Sequence, residues 1–121
     1  MGAKRNVGQA MIAVTEEVLR EMVRAIVREV DPEEIWLFGS RARGQAGPDS
    51  DVDLLVIERE PFGPERSRLQ ESVRLYEAIA AFRVGVDLLV YSRQEVEERR
   101  NWCNHVIARA MSEGRRLYER A

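Results

Sequence analysis

The pentapeptide Val-Asp-Leu-Leu-Val occurs twice in this chain of 121 residues, at positions 52–56 and again at 86–90. Short apolar runs of this kind, rich in branched side chains, are typical of buried strands. The residues between the repeats have helical periodicity, and a strand–helix–strand unit brings its two strands together in parallel. If the repeats pair in register, Asp53 and Asp87 lie side by side on one face, about 4.8 Å apart.

Apolar residues at helical spacing predict the helices. A first helix runs from about Thr15 to Val30, where Asp31-Pro32 stops it. A second follows Pro64, and one face of it carries Leu69, Val73, Tyr76, Ile79 and Ala80. A capping-box pattern at Ser92 and Glu95 opens further helix that ends at Gly114.

Strands are predicted at 35–38, 51–57 and 84–91, with Trp36 and Phe38 in the core, and a short edge strand is predicted at 116–118 that includes Tyr118. Residues 39–50 form an exposed loop with about one helical turn. Strands that alternate with helices indicate an α/β (α+β) layer structure, here a small mixed sheet flanked by helices.

Length and composition narrow the class of protein. A chain of this length has room for one domain, so we expect a flexible lead over residues 1–13 and a single domain over 14–121. Its 19 basic and 21 acidic residues nearly cancel, so no direct nucleic-acid binding is expected. No apolar run is long enough to span a membrane.

Cys103 and His105 are the only residues of their types, which excludes an intrachain disulfide and a Cys/His metal cage. Both are predicted to serve in packing or at an interface. A lone cysteine fits a reducing cytoplasm.

Three carboxylates are predicted to share one patch of the sheet. Asp51 and Asp53 point to the same face, about 6.6 Å apart along the strand, and Asp87 joins them from the paired strand. Like charges at this separation repel one another, and divalent cations relieve the repulsion. Oxygen donors without histidine or thiolate suit magnesium, and two such ions about 3.5–4 Å apart can clamp the attacking and leaving oxygens of a displacement at phosphorus.

A Gly-Ser loop precedes these acids. Gly39 lets backbone N–H groups approach an anion closely, and the Ser40 hydroxyl adds a donor. Arg41 and Arg43 are candidate phosphate contacts, although surface arginines are also commonly only solvated. Asp49 and Ser50 shape the turn into the strand, and Ser50 is a further candidate nucleotide contact. The loop lacks the Gly-Lys-Ser/Thr ending of a Walker motif, which argues against a P-loop ATPase.

Together, Gly39-Ser40, ten intervening residues, Asp51-Val52-Asp53 and a later Asp87 resemble the DNA polymerase β-type nucleotidyltransferase superfamily. Within it, Gly-Ser-Arg-Ala-Arg-Gly at 39–44 and Ser-Asp-Val-Asp-Leu at 50–54 are similar to the minimal nucleotidyltransferase (MNT) group, found as antitoxins beside HEPN toxins. The resemblance covers the chain from the first helix to Tyr118. Its combined pattern is specific, whereas Gly-Ser or Asp-x-Asp alone would be weak.

The resemblance implies a role for each of these residues. Gly39 and Ser40 would hold the β- and γ-phosphates of a nucleoside triphosphate, and Asp51 and Asp53 would bind both magnesium ions. Asp87 would bind the catalytic ion and help to deprotonate the acceptor hydroxyl, which attacks the α-phosphorus and expels pyrophosphate.

The resemblance also implies a partner. In MNT antitoxins it is the HEPN toxin, an RNase whose tyrosine is adenylylated. The implied reaction is therefore transfer of AMP from ATP within a hetero-oligomer of the two proteins. Two alternatives stay open, namely transfer to the hydroxyl of a small molecule and neutralisation of the toxin by binding alone.

Overall fold

The computed structural model describes residues 14–47, 50–102 and 105–121. The expectations of a flexible lead over 1–13, of Asp49 in the turn and of Cys103 in packing concern residues outside these ranges. None of the described helices is long and apolar enough to cross a lipid bilayer.

Four strands form one mixed sheet: β1 Glu34–Phe38, β2 Val52–Glu58, β3 Val86–Ser92 and β4 Arg115–Glu119. Their order across the sheet is β3-β2-β1-β4. β1 runs antiparallel to both β2 and β4, whereas β2 runs parallel to β3 with Asp53 opposite Asp87. The structure therefore confirms the parallel pairing of the repeated pentapeptides and the edge strand at residues 116–118.

The described helices are α1 Glu16–Val30, α2 Gly39–Ala42, α3 Arg68–Ile79, α4 Arg93–Arg99 and α5 Val106–Glu113, with a 3₁₀ turn at Ala80–Phe82 after α3. The Thr15 hydroxyl accepts the Val18 N–H at 3.1 Å where α1 begins. At the start of α4, Ser92 and Glu95 form a reciprocal capping box. Caps of this kind satisfy N–H groups that a helix start leaves unpaired, and both helix starts are as predicted.

Helices cover both faces of the sheet, which confirms the predicted fold class. On one face, Leu54 is buried in the larger of two apolar clusters, with α1 and α3. On the other face, Leu55 is buried in a smaller cluster with α4 and α5. Because side chains alternate along a strand, Asp53 projects to the same side as Leu55, and its in-register neighbour Asp87 projects with it. The acidic residues therefore belong to the side of the sheet that α4 and α5 cover.

Helix α3 buries only Ile79 of its predicted apolar face. Its buried side chains are Leu75 and Ile79. Most of the predicted apolar face is exposed, at Leu69, Val73 and Tyr76. The Tyr76 hydroxyl accepts the Leu88 N–H at 2.9 Å, so this residue covers the outer edge of β3 rather than entering the core. Periodicity groups the residues of a face, but it does not say which of two apolar faces meets the sheet.

The prediction that Trp36 and Phe38 lie in the core is also corrected. Ile35 and Leu37 of β1 are buried, whereas the two aromatic side chains are half-buried and border the smaller cluster. Trp36 Nε1 donates to Glu34 Oε1 at 2.7 Å. A large ring with one polar atom is stable at such a border, where that atom keeps a partner.

Glu58, the last residue of β2, carries a carboxylate into the interior, where the residue is only 2% exposed. Arg66 Nη2 donates to its Oε1 at 2.5 Å, whereas Oε2 has no hydrogen-bond partner among the described residues. Burial, followed by the neighbouring Glu71 carboxylate, raises the pKa of Glu58 to about 8, and Arg66 opposes the shift. The folded protein therefore keeps a proton on Glu58 near neutral pH.

This proton makes the stability depend on pH. The unfolded chain releases it near the ordinary pKa of 4.5 and the folded protein only near 8, so folding binds a proton between these values. The free energy of unfolding should therefore fall as pH rises from about 4.5 to about 8. Urea unfolding at several pH values should show a flatter profile for Glu58→Gln than for the wild type. Glu65→Gln, on the exposed loop nearby, should keep the wild-type profile, and parallel profiles for the wild type and Glu58→Gln would assign the proton to another group.

Candidate active site

Gly39 is the residue where β1 ends and α2 begins, and its backbone has a positive φ of 73°. A Cβ atom at this position would collide with Asp53 Oδ2 and would lie 3.1 Å from Asp53 Cγ. The antiparallel register explains this proximity, because Phe38 lies opposite Asp53. The Asp53 carboxylate thus rests against a backbone that only glycine leaves open.

Asp53 and Asp87 form a close acidic pair across the parallel strands β2 and β3. Burial raises the pKa of Asp53 above its ordinary value of 3.8, and Asp87 raises it further through its charge and hydrogen bonding. The charge of Asp51 acts in the same direction, whereas Arg43 lowers the pKa. The electrostatics therefore couple Asp53 to both other predicted acids and to one predicted arginine.

Asp51 is exposed and its carboxylate lies over Gly85, where a Cβ atom would lie 3.2 Å from Asp51 Cγ. Within the described part of the chain, no three His, Cys, Asp or Glu side chains are grouped tightly enough to hold a metal ion. The Asp51 carboxylate thus lies against Gly85, whereas the Asp53 carboxylate lies against Gly39. Binding of one ion by all three acids stays a prediction, and it requires the Asp51 side chain to turn toward Asp53.

The residues present nevertheless fit magnesium. Asp51, Asp53 and Asp87 supply only carboxylate oxygens, which are the donors that this hard cation prefers. The pKa of Asp53 is raised by burial and by its acidic neighbours, and a nearby cation would favour its ionised form. The absence of a side chain at Gly39 leaves the space that the Asp53 carboxylate occupies.

A cavity of about 270 Å³ opens beside Asp53. Four of the predicted site residues line it, namely Gly39, Ser40, Arg43 and Asp53, whereas Asp51, Asp87, Arg41 and Ser50 lie outside its lining. The phosphate-binding candidates at the Gly-Ser turn thus share a cavity with one of the three acids.

Helix α5 supplies the wall of this cavity that sequence reasoning missed, with Val106, Arg109 and Glu113. These residues are spaced at i, i+3 and i+7, which places them on one face of the helix. The spacing is visible in the sequence, but it does not indicate that this face lies opposite the Gly-Ser turn.

Arg41 and Ser50 bind to each other and hold the loop. Arg41 donates to the Ser50 carbonyl oxygen from Nη2 at 2.6 Å and from Nε at 3.2 Å. The Ser50 hydroxyl accepts the Gly47 N–H at 3.0 Å, which confirms its predicted part in the turn. These bonds brace the segment that enters β2, and contact of either side chain with a nucleotide stays a prediction.

Arg43 faces the cavity, with Nε donating to Gln45 Oε1 at 3.1 Å and Nη1 lying 3.5 Å from Glu113 Oε1. Both members of the ion pair are substantially exposed, so water weakens the attraction between them. A phosphate group entering the cavity can therefore compete with Glu113 for this guanidinium.

Comparison with known proteins agrees with this geometry. The family model of the nucleotidyltransferase domain matches residues 19–84, which is more than half of the chain. The matched segment includes Gly39, Ser40, Asp51 and Asp53 and ends before β3, so Asp87 lies outside it.

The Haemophilus influenzae protein MntA, whose name describes a probable protein adenylyltransferase, is 40% identical over 53 residues, which are 42% of this chain and 46% of the relative. The chain thus spans less than half of that relative's length.

Two solved structures share the fold. A Sulfolobus solfataricus protein classed as a nucleotidyltransferase superposes with a TM-score of 0.55 at 21% identity, over 99% of this chain and 93% of the other. A toxin-antitoxin structure with AMP-PNP superposes with a TM-score of 0.53 at 19% identity, over 88% of this chain and 75% of the other. The family resemblance found in the sequence is confirmed, and the chain belongs to the nucleotidyltransferase domain family.

Proposed function

We propose that this chain is a magnesium-dependent adenylyltransferase that moves AMP from ATP onto a tyrosine hydroxyl of a HEPN-type toxin and thereby acts as its antitoxin. In this proposal residues 14–121 are one minimal nucleotidyltransferase domain. The observation that carries it is the position of Asp53, between the Gly39 backbone on one side and Asp87 on the other, at a cavity that Ser40 and Arg43 also line.

Two relatives support the choice of nucleotide and partner. The Haemophilus influenzae relative carries the name of a protein adenylyltransferase. A structural neighbour is a toxin-antitoxin assembly with AMP-PNP, an ATP analogue. Both facts belong to those proteins, and they motivate the test of ATP and of a toxin partner here.

The residues of this chain have separable tasks in the proposed reaction. The Gly39 backbone and the Ser40 hydroxyl bind the β- and γ-phosphates, and Arg43 offsets their charge. Asp87 accepts the proton of the acceptor hydroxyl, whose oxygen forms a bond to the α-phosphorus as the α–β phosphoanhydride bond breaks. Pyrophosphate leaves with the electron pair of that bond, and the acceptor carries the AMP group.

Magnesium would be held by Asp51, Asp53 and Asp87, and when bound it supplies charge neutralisation at the phosphates and at the attacking oxygen. Asp51 and Asp53 would contribute negatively charged oxygen ligands for magnesium. An isosteric amide at either site removes the negative charge with little change in shape.

The decisive experiment supplies the full chain with ATP labelled at the α-phosphate, magnesium and a HEPN partner. One labelled AMP adduct or more should form on the partner, at a tyrosine located by mass spectrometry. Asp51→Asn should give no adduct, because it lacks one charged ligand, whereas Glu65→Gln on an exposed loop should behave as the wild type. Equal labelling by Asp51→Asn would refute the mechanism.

Two further experiments distinguish the proposed function from the two alternative functions. If small hydroxyl compounds release pyrophosphate with this enzyme and HEPN proteins do not, the acceptor is a small molecule. If an Asp51→Asn/Asp53→Asn variant still neutralises the toxin, binding alone is enough for the antitoxin effect.

A further inference from the structure

Arg109 stands at the cavity beside Asp53 but lies beyond the segment that the family model matches. It belongs to α5, and it shares the cavity wall with Val106 and Glu113. The buried side chains of the same helix, Ile107 and Ala110, fix the orientation of α5 against the sheet. The position of Arg109 is therefore set by the packing of its helix rather than by a loop.

Among the described arginines, Arg109 is unusual because its side chain has no ion-pair partner. Glu113 lies at i+4 from Arg109, a spacing at which side chains of opposite charge can pair on one helix face. Glu113 Oε1 instead lies 3.5 Å from Arg43 Nη1. Within the ranges that the structure describes, Arg109 has neither an ion pair nor a side-chain hydrogen bond, and among the arginines only Arg28 shares this property. Arg28 lies exposed on α1 and lines no described cavity.

We propose that Arg109 binds the β- and γ-phosphate oxygens of the nucleoside triphosphate, and that α5 thereby supplies a second cation for the departing pyrophosphate. The inference rests on the proposed function and extends it to a helix outside the matched segment. The same cavity is lined by Gly39 and Ser40, the candidates for holding these two phosphates, and by Arg43. The planar guanidinium can donate two parallel N–H bonds to one phosphate group.

Charge explains why an unpaired arginine belongs at this place. The triphosphate brings several negative charges next to Asp53 and Glu113, which also line the cavity. Arg43 already forms an ion pair with Glu113. Arg109 has no carboxylate partner among the described residues, so it can bind phosphate without breaking an ion pair. An arginine that already has a carboxylate partner would have to lose that interaction on binding.

The test measures affinity for inorganic pyrophosphate, tripolyphosphate and AMP by titration calorimetry of the full chain in magnesium buffer. Arg109→Gln should weaken pyrophosphate and tripolyphosphate binding by about tenfold or more, the size of a lost charge-assisted hydrogen bond. Arg109→Lys, which keeps the charge but loses the fork, should lose less. AMP has no β- or γ-phosphate, so its affinity should not change.

Arg28→Gln is the matched control, since it removes the other unpaired arginine at a site away from the cavity. It should bind all three ligands as the wild type does, and the thermal midpoints of both glutamine variants should match the wild type. Equal pyrophosphate affinity for Arg109→Gln and the wild type would overturn the role of Arg109 while leaving adenylyl transfer intact. Equal losses in Arg28→Gln and Arg109→Gln would also overturn it, because general surface charge would then explain both. A wild-type protein that binds neither ATP nor pyrophosphate would overturn the proposed function together with this inference.

Discussion

Asp53→Asn is expected to lower AMP transfer by about a thousandfold, while the folded protein remains at least as stable as the wild type. The amide has nearly the shape of the carboxylate, so the contact with the Gly39 backbone can persist. It carries no charge, however, and it is a poor ligand for a hard cation. Function and stability should therefore change in different directions.

The stability effect follows from the pKa of Asp53. Burial raises this pKa, with Asp87 and Asp51 adding to the shift, so the ionised carboxylate is disfavoured in the folded protein relative to the unfolded chain. A raised acid pKa means that stability is lost as pH rises through the folded value, and an uncharged asparagine escapes that loss. At pH 7 the free energy of unfolding should rise by less than about 1 kcal/mol, the upper size of a cross-strand pair effect, because solvent screens the partly exposed carboxylate.

Initial rates with labelled ATP and urea unfolding at pH 7 test both parts. Glu65→Gln removes an exposed carboxylate elsewhere, and it should change neither quantity. Wild-type rates in Asp53→Asn would show that the reaction does not use this acid. A marked loss of stability would show that the ionised Asp53 holds the fold together, contrary to the repulsion inferred from its pKa.

The position of Asp53 relative to Asp87 could be predicted from the sequence because β2 and β3 repeat one pentapeptide. A slip of one residue in their pairing would move every side chain of a strand to the other face, and the aspartates would enter the larger apolar cluster. The in-register pairing avoids this cost on both strands. The edge strand β4 was predictable for a simpler reason, since a short run after Gly114 has few other places to pair.

The rest of the site depends on helix placement, which periodicity does not specify. The face of α5 that carries Arg109 could be read from the sequence, but its position opposite Gly39 results from the packing of Ile107 against the second face of the sheet. The same limit explains α3, whose sequence offers two apolar faces of which one is exposed. Side-chain direction cannot be predicted from the strand pattern either: Asp51, predicted to begin the second strand, lies one residue before β2, and its carboxylate lies against Gly85.

Replacing Gly39 with alanine is expected to reduce both stability and pyrophosphate binding, whereas the same change at Gly44 should reduce stability alone. The two glycines have nearly equal backbone angles, with φ of 73° at Gly39 and 72° at Gly44. An L-residue in this region costs about 1–2 kcal/mol at either site. A Cβ atom at Gly44 meets no atom within 4 Å, whereas at Gly39 it collides with Asp53 Oδ2.

The difference between the two variants therefore isolates the collision from the backbone strain. Gly39→Ala should lose about 1–3 kcal/mol more than Gly44→Ala in urea unfolding, because the carboxylate or the turn must move. Calorimetry should show pyrophosphate affinity reduced by about tenfold in Gly39→Ala, since the methyl group also keeps phosphate from the N–H groups of the turn. Equal losses of stability would assign the whole effect to φ. Wild-type affinity in Gly39→Ala would mean that phosphate does not approach the backbone here, and the cradle would have to be sought at Arg43 and Arg109 instead.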